Sequence, residues 1–221
     1  MQKFATAAPV TAVVEIPAGR IRFVATDRSD ATVEVLPADS SKSRDTKAAE
    51  QIEVDFTDGV LRVATPAADS RILGDRGSVE VTVQLPAGSR VEGKAAAAEL
   101  RGEGRLGDVV FEGAYRRIQL DETASLRLTA TDGDVEVGRL GGPAEISTQR
   151  GAVRIAEAVR GTVALSTRSG DIHIGAARGV SATLDAGTAY GRVSNALRNE
   201  GNPELDIRAT TSNGDITARS L

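Results

Sequence analysis

Between Leu126 and Ile174 the chain repeats one pattern of alternating apolar and polar residues three times, in segments 126–137, 144–155 and 163–174. Each segment alternates, turns at a glycine, and alternates again. Alternation with a period of two predicts β-strands that bury one face, and glycine between two such runs predicts a turn. No stretch of the chain shows a convincing helical period. The pattern therefore predicts an all-β fold.

From residue 91 onward the same pattern recurs at a nearly regular spacing. The first apolar residue after each turn recurs every 17 to 23 residues, at Leu100, Ile118, Val135, Val153, Ile172, Val193 and Ile216. A repeat of about 18–20 residues with short strands is typical of a β-solenoid, a β-helix-like stack in which each coil buries its apolar side chains against the next. A β-sandwich of hairpins shows the same alternation and remains the alternative. The sustained period favours the solenoid.

A set of shorter strands precedes the repeats. Apolar runs predict strands in 10–16, 21–25, 31–36, 52–56, 61–63 and 79–85, and Asp58-Gly59 predicts a hairpin turn. Residues 37–50 and 66–77 lack alternation and predict two loops, the first with one helical turn at 46–50. We expect a single all-β domain over 1–221, with N-terminal strands and loops in 1–90 and repeat coils in 91–221.

Composition narrows the chemistry. The chain has no cysteine and one histidine, His173, which excludes thiol chemistry and leaves no basis for a His-rich metal site or a Ser-His-Asp triad. We therefore expect no cofactor and no metal. The net charge of −4 is small and both signs are interspersed, so neither nucleic acid nor a membrane surface is indicated as a partner. Without an apolar leader or a membrane-spanning run, the chain as written is predicted to be cytoplasmic, or to lie at the surface if a leader was removed.

Three stretches ahead of the repeats carry a family resemblance: Ile16-Pro17-Ala18-Gly19, Asp58-Gly59-Val60-Leu61 and Val81-Thr82-Val83-Gln84-Leu85-Pro86-Ala87-Gly88. Followed by the Gly-Asp-Val/Ile coils, they resemble the bacterial β-strand-repeat "putative adhesin" family, a domain family of unknown function that is common in actinobacteria. The resemblance covers most of the chain, from residue 10 to residue 221. It implies a β-solenoid-like fold and an adhesin-like protein, and it brings no established catalytic or binding residues.

The Gly-Asp pairs at 133–134, 170–171 and 214–215 would stack as a row of carboxylates. Such a row could hold calcium or supply paired acids for glycoside chemistry. We interpret it as turn chemistry, in which glycine takes a positive φ and aspartate accepts hydrogen bonds from backbone amides. The row is interrupted by Ala152 and Arg192, and no calcium-binding nonapeptide accompanies it.

Charged residues on exposed strand faces suggest pairs between neighbouring coils. We expect Glu136 to pair with Arg154 and Arg127 with Glu145. The best surface candidate is a ridge of aromatic and arginine residues at the turns, suited to a carbohydrate, an acidic peptide or a phosphorylated group. Its members are Tyr115, Arg116, Arg117, Arg150, Arg168, Tyr190 and Arg192.

The leading functional hypothesis is a noncatalytic binding or assembly module whose ligand the sequence does not name. The last coil ends at 216–221 without a covering helix or loop, so we expect this C-terminal coil to meet a protein partner or a second copy. A carbohydrate is a further candidate ligand. The alternative is an enzyme on a β-helix scaffold, acting on a glycan or a small natural-product intermediate in a groove between loops 37–50 and 66–77.

Overall fold

The computed structural model describes residues 1–66 and 77–221, without the side chains of residues 114 and 115. Over these ranges the chain forms sixteen strands and one helix, and nearly every element is extended. In chain order they are β1 (Gln2–Ala5), β2 (Thr11–Thr26), β3 (Asp30–Pro37), α1 (Ser43–Glu50), β4 (Glu53–Thr57), β5 (Val60–Ala64), β6 (Val79–Pro86), β7 (Arg90–Asp132), β8 (Val135–Leu140), β9 (Ala144–Arg150), β10 (Val153–Ala158), β11 (Gly161–Ser169), β12 (Ile172–Ala176), β13 (Ala182–Tyr190), β14 (Val193–Ala196), β15 (Leu205–Asn213) and β16 (Ile216–Ser220).

The repeats form two layers of parallel strands. The first layer runs from the end of β7 through β9, β11 and β15 to β13, and the second runs from the middle of β7 through β8, β10, β12 and β16 to β14. Each coil gives one strand to each layer and turns at a glycine between them. The long strand β7 passes through both layers, since its residues pair with β2, β8 and β9. Parallel stacking in register confirms the β-solenoid-like prediction and sets aside a sandwich of hairpins.

Apolar side chains from both layers fill the space inside the coils. In the second layer Ile118, Val135, Val153, Ile172 and Ile216 stand in one column, and each is completely buried. At about 25 cal/mol per Å² of apolar surface removed from water, each such side chain contributes about 1.5–3 kcal/mol. A coil has no interior of its own, so this burial exists only because coils stack.

The N-terminal strands continue the same stack to its other end. Strand β2 crosses Pro17 without interruption and pairs with β5, β6 and β7, so the expected break at 17–19 is a corner within one strand. Strands β4 and β5 form the hairpin predicted from Asp58-Gly59, with φ of 51° and 76° at these two residues. Helix α1 begins at Ser43, three residues ahead of the predicted helical turn.

The C-terminal coil lies inside the stack, contrary to our expectation. Strand β15 pairs with β11 on one side and β13 on the other, and β16 likewise lies between β12 and β14. The coil formed by β15 and β16 comes last in the chain, but in space it lies between the β11–β12 coil and the β13–β14 coil. The exposed edges predicted for 216–221 belong instead to β13 and β14, and the prediction of an open C-terminal coil is wrong.

Candidate functional site

The Gly-Asp turns form one corner of the stack and serve the backbone. Glycines 133, 151, 170, 214 and 191 follow one another along this corner, each with a positive φ. Asp134 accepts a hydrogen bond from the Ala152 amide at 2.8 Å, and Asp171 accepts one from the Asp215 amide at 2.8 Å. These bonds match the turn chemistry predicted from the sequence. Within the described ranges, no group of three or more acidic or histidine side chains is placed to hold a metal ion.

Asp215 makes two contacts with one residue at this corner. Its carboxylate accepts the Arg192 amide at 2.9 Å and the Arg192 guanidinium at 3.1 Å. The bond from the Arg192 amide, followed by the guanidinium, lowers the pKa of Asp215 below its ordinary value. The contact ties the corner of the β13–β14 coil to the corner of the β15–β16 coil.

The ridge residues lie along this same corner but do not converge. Arg150 and Tyr190 stand in one column of paired residues. Ser169 and Asn213 lie between them, so they are three strands, or about 14 Å, apart, and Asp132 lies on the other side of Arg150. Arg116 and Arg117 lie near the far end of the corner. The side chain of Tyr115 falls outside the described residues. The described ridge residues follow the corner, and one of them, Arg116, also lines a cavity of about 890 Å³.

Three of the ridge arginines bind carboxylates. Arg117 contacts Glu136 at 2.9 Å, Arg150 contacts Asp132 at 2.8 Å, and Arg192 contacts Asp215 at 3.1 Å. Glu136 therefore pairs with Arg117. The pair predicted from the sequence, Glu136 with Arg154, is not the one formed. The other predicted pair, Arg127 with Glu145, is present at 3.3 Å.

The coil formed by β13 and β14, which we call the open coil, has partners on one side only in the described part of the chain. Val193 stands in the column of completely buried apolar residues but is 46% exposed. All four residues of β14 are exposed, and the ring of Tyr190 at the corner is 77% exposed. Open backbone edges and apolar side chains are thus presented together at this end of the stack.

The opposite end of the stack also ends in strands with one strand partner in the described residues, but these strands are short. Strands β1 and β4 are the last strands of their sides there, and Phe4 of β1 packs against Phe56 of β4 with ring centroids 5.2 Å apart. Helix α1 lies against β3 and β6, and its Asp45 carboxylate accepts the Ser78 amide at 2.9 Å. The two ends of the solenoid therefore differ in how much strand edge and apolar surface they expose.

A groove of about 620 Å³ crosses the outer surface of the second layer. Its floor consists of Gly138, Ala156 and Gly175, and its rim includes Arg154 and His173. A Cβ at Gly138 would lie 2.5 Å from the Asp121 carbonyl oxygen, and one at Gly175 would lie 2.3 Å from the Ala156 carbonyl oxygen. The two glycines therefore admit no side chain, and Leu221 Cδ2 lies 3.3 Å from the Gly175 Cβ position. Sequence reasoning missed this groove, although small residues recurring two positions after the exposed column were a usable signal.

Comparisons with known proteins place the chain by family. A family model described as Toastrack DUF4097 matches residues 10–219. The chain belongs to the Toastrack DUF4097 family. No curated protein matches it.

Solved structures resemble this Toastrack chain over nearly its full length at low sequence identity. A putative cell adhesion protein from Clostridium sporogenes is 10% identical, covers 100% of this chain and 98% of its own, and gives a TM-score of 0.38. A putative adhesin from Bacteroides fragilis is 12% identical, covers 98% and 95%, and gives a TM-score of 0.40. A putative adhesin from Parabacteroides merdae is 12% identical, covers 100% and 93%, and gives a TM-score of 0.32.

The loop groove expected for an enzyme involves residues 66–77, of which 67–76 lie outside the described residues. On the described side, a cavity of about 890 Å³ is lined in part by Asp39 and Asp45. Asp39 accepts the Ser41 hydroxyl at 2.6 Å, and Asp45 holds Ser78, so both carboxylates support the local backbone. Among the described residues of this Toastrack chain, the single helix is too short and too polar to cross a bilayer.

Proposed function

We propose that this Toastrack protein is a noncatalytic binding and assembly module that associates with a second copy of itself through the open coil. The observation that carries the proposal is the exposure of Val193. Its column neighbour Ile216 is completely buried, whereas Val193 leaves 46% of its surface in water because no coil follows. A second copy would bury this surface as the stacked coils bury theirs.

The chemistry of the edge supports strand pairing. Exposed edge strands are usually protected by lysine, proline, a bulge or a covering segment. Strands β13 and β14 contain no lysine, arginine or proline, and Asp185 is their only charged residue. Strand β13 is nine residues long, which is longer than the mean strand, and its Ala182 amide is bonded to the Arg198 carbonyl at 2.9 Å, so the free edge begins beyond Ala182. Such an edge accepts another strand at little electrostatic cost.

The short strands of the N-terminal end favour a pair over a filament. Head-to-tail stacking joins two different ends, and it propagates only when both ends accept a strand. Strands β1 and β4 at that end are four and five residues long, against nine for β13, so the open coil finds its longest matching edge on another open coil. The resulting contact is twofold symmetric and closes at two copies.

Analytical ultracentrifugation over a wide concentration range tests the proposal. We expect the dimer fraction to rise with concentration in the unaltered protein, and to fall strongly in Val193→Lys and in Tyr190→Ala. Val60→Lys is the matched control, because Val60 is also an exposed valine, 37% exposed, but lies on β5. Circular dichroism melting of each variant separates a lost interface from a lost fold.

Two outcomes would contradict the proposal. One is a protein that stays monomeric at the highest concentration reached. The other is a dimer that Val60→Lys weakens as much as Val193→Lys does.

A further inference from the structure

We propose that the groove on the second layer binds a doubly charged oxyanion, the phosphate or sulfate group of a small molecule, at the end formed by β10, β12 and β16. The residues assigned to this anion site are Arg154, His173, Thr217 and Arg219, which line the groove around Gly175. The site lies on the sheet face and the proposed self-association on the open coil, so either can fail without the other.

Strand register brings the four side chains around one point. Arg154 is directly beside His173, and His173 is directly beside Thr217, on three adjacent parallel strands. Arg219 is beside Gly175, and Gly175 follows His173 by two residues on the same face. With strands about 4.8 Å apart, the two arginines start about 12 Å from each other across the glycine. Their side chains are long enough to meet above it.

Gly175 is buried at the base of the recess and admits no side chain, since a Cβ there would meet the Ala156 carbonyl oxygen at 2.3 Å and Leu221 Cδ2 at 3.3 Å. His173 and Thr217 are each partly shielded from solvent, whereas Arg154 and Arg219 are exposed. The arrangement is a shallow recess with two guanidinium groups at its rim.

The free hydrogen-bond donors of the recess favour an anion. In the described part of the chain, neither Arg154 nor Arg219 makes a side-chain hydrogen bond or ion pair. The carboxylates facing the groove are engaged elsewhere: Glu136 binds Arg117 at 2.9 Å, and Asp121 accepts the Gly104 amide at 3.1 Å. Donors are thus left free where acceptors are already satisfied.

Asp215 is the remaining acid near His173, and its carboxylate is held by Arg192. Guanidinium groups bind tetrahedral oxyanions through two parallel N–H donors, and such charge-assisted bonds are about twice as strong as neutral ones. A hydroxyl and an imidazole N–H add two further donors of the kind that phosphate and sulfate accept. A monovalent carboxylate would use fewer of these donors.

The single histidine of the chain makes the test direct. Its imidazole gives one set of ring signals in an NMR spectrum, so no assignment by mutation is needed. Titration with inorganic phosphate, and separately with sulfate, is expected to shift these signals along a saturable curve at constant ionic strength. Acetate is expected to shift them far less. A linear, unsaturated response to all three salts would overturn the proposal.

Matched variants separate a site from general charge screening. Arg154→Gln and Arg219→Gln are each expected to weaken phosphate binding by about tenfold, the loss of one charge-assisted contact. Arg62→Gln removes an exposed arginine from β5, outside the groove and outside the ridge, and is expected to leave the curve unchanged. Equal effects of all three substitutions would overturn the proposal, provided that the unfolding curves show each variant folded.

A second set of titrations determines which kind of small molecule carries the bound phosphate group. Glucose 6-phosphate and phosphoserine carry the same group on a sugar and on an amino acid. Tighter binding of either ester than of inorganic phosphate supports the site and identifies which carrier the groove accommodates. If both esters fail to displace inorganic phosphate, the recess does not serve a phosphorylated small molecule, and the proposal fails.

Discussion

The glycine at the corner of a coil lies so close to the neighbouring coil that a side chain would clash with its backbone. A Cβ on Gly151 would lie 2.2 Å from the carbonyl oxygen of Gly133 in the neighbouring coil, and the φ of Gly151 is +131°. Threonines reinforce the corner, since the Thr167 hydroxyl donates to the Gly151 carbonyl at 3.2 Å and the Thr211 hydroxyl donates to the Gly170 carbonyl at 3.1 Å. Positive φ at these glycines was foreseeable from the turn chemistry, whereas the close approach of coils was not.

We expect Gly151→Ala to lower the free energy of unfolding by at least about 2 kcal/mol, because the strained backbone and the blocked carbonyl act together. Gly187→Ala is the control, since no atom lies within 4 Å of its Cβ position. There the loss of unfolded-state freedom should leave stability unchanged or raise it by up to about 1 kcal/mol. Denaturant unfolding measures both. Equal losses in the two variants would contradict the role assigned to the corner.

Between single elements, ion pairs fix which strands lie together. Strand β1 pairs with β3 at four residues. Asp30, the first residue of β3, binds Arg28 at 2.6 Å and Lys3 at 2.8 Å. The hydrogen bond from Arg28, followed by that from Lys3, lowers the pKa of Asp30 to about 2. Because the folded pKa is depressed, the contribution to stability is complete above the ordinary value near 3.8 and is lost as the pH falls toward 2.

Carbon-detected NMR of the carboxyl groups tests this element contact. We expect Asp30 to titrate near pH 2 in the unaltered protein and at a clearly higher pH in Arg28→Gln, with a smaller rise in Lys3→Gln. Lys42→Gln removes a lysine that pairs with Asp39 and should not move the Asp30 curve. A rise in Lys3→Gln larger than that in Arg28→Gln would show that the order of causes is wrong.

The elements themselves were largely predictable, and their charged partners were not. Alternation located the strands of every coil because a buried face must alternate with an exposed one. It could not choose the partner of Glu136, since Arg117 and Arg154 both flank it on neighbouring coils and side-chain reach decides between them. The ridge stays a prediction, and the aspartates of adjacent coils that bind Arg150 and Arg192 were not foreseen for the same reason.

For the molecule as a whole, the order of the last two coils decides which surface is open. The apolar residues of the last two coils stay in the same columns whichever coil lies inside the stack. The spacing of apolar residues in the sequence therefore cannot predict their order in space. The single domain expected over 1–221 stays a prediction. So does the division between residues 1–90 and 91–221, although one cluster of buried residues includes members of both parts.

The inserted coil should hold the open coil in place. Ile207 of β15 is completely buried and stands beside half-buried Leu184 of β13. We expect Ile207→Ala to cost about 2–5 kcal/mol and to remove amide-exchange protection from β13 as well as β15. Leu184→Ala should cost less and affect the open coil alone. Ile146→Ala, at a buried position on β9, serves as the control for general destabilisation.

Hydrogen exchange with mass spectrometry measures the amide protection of each peptide in these three variants. If β13 stays protected while β15 opens in Ile207→Ala, the open coil is held by contacts other than those described. If Ile146→Ala opens β13 before β9, the coupling runs through the whole stack.

The placement of residues 205–220 between two earlier coils also sets a schedule for biosynthesis. Residues 182–196 leave the ribosome first, yet β13 and β14 have no strand to pair with until the following residues have been made. During that interval β11 and β12 present a vacant edge that the open coil could occupy one place too early. A nascent chain stalled between 197 and 204 is therefore the form of this protein most exposed to mispairing and to chaperones that hold unfinished strands.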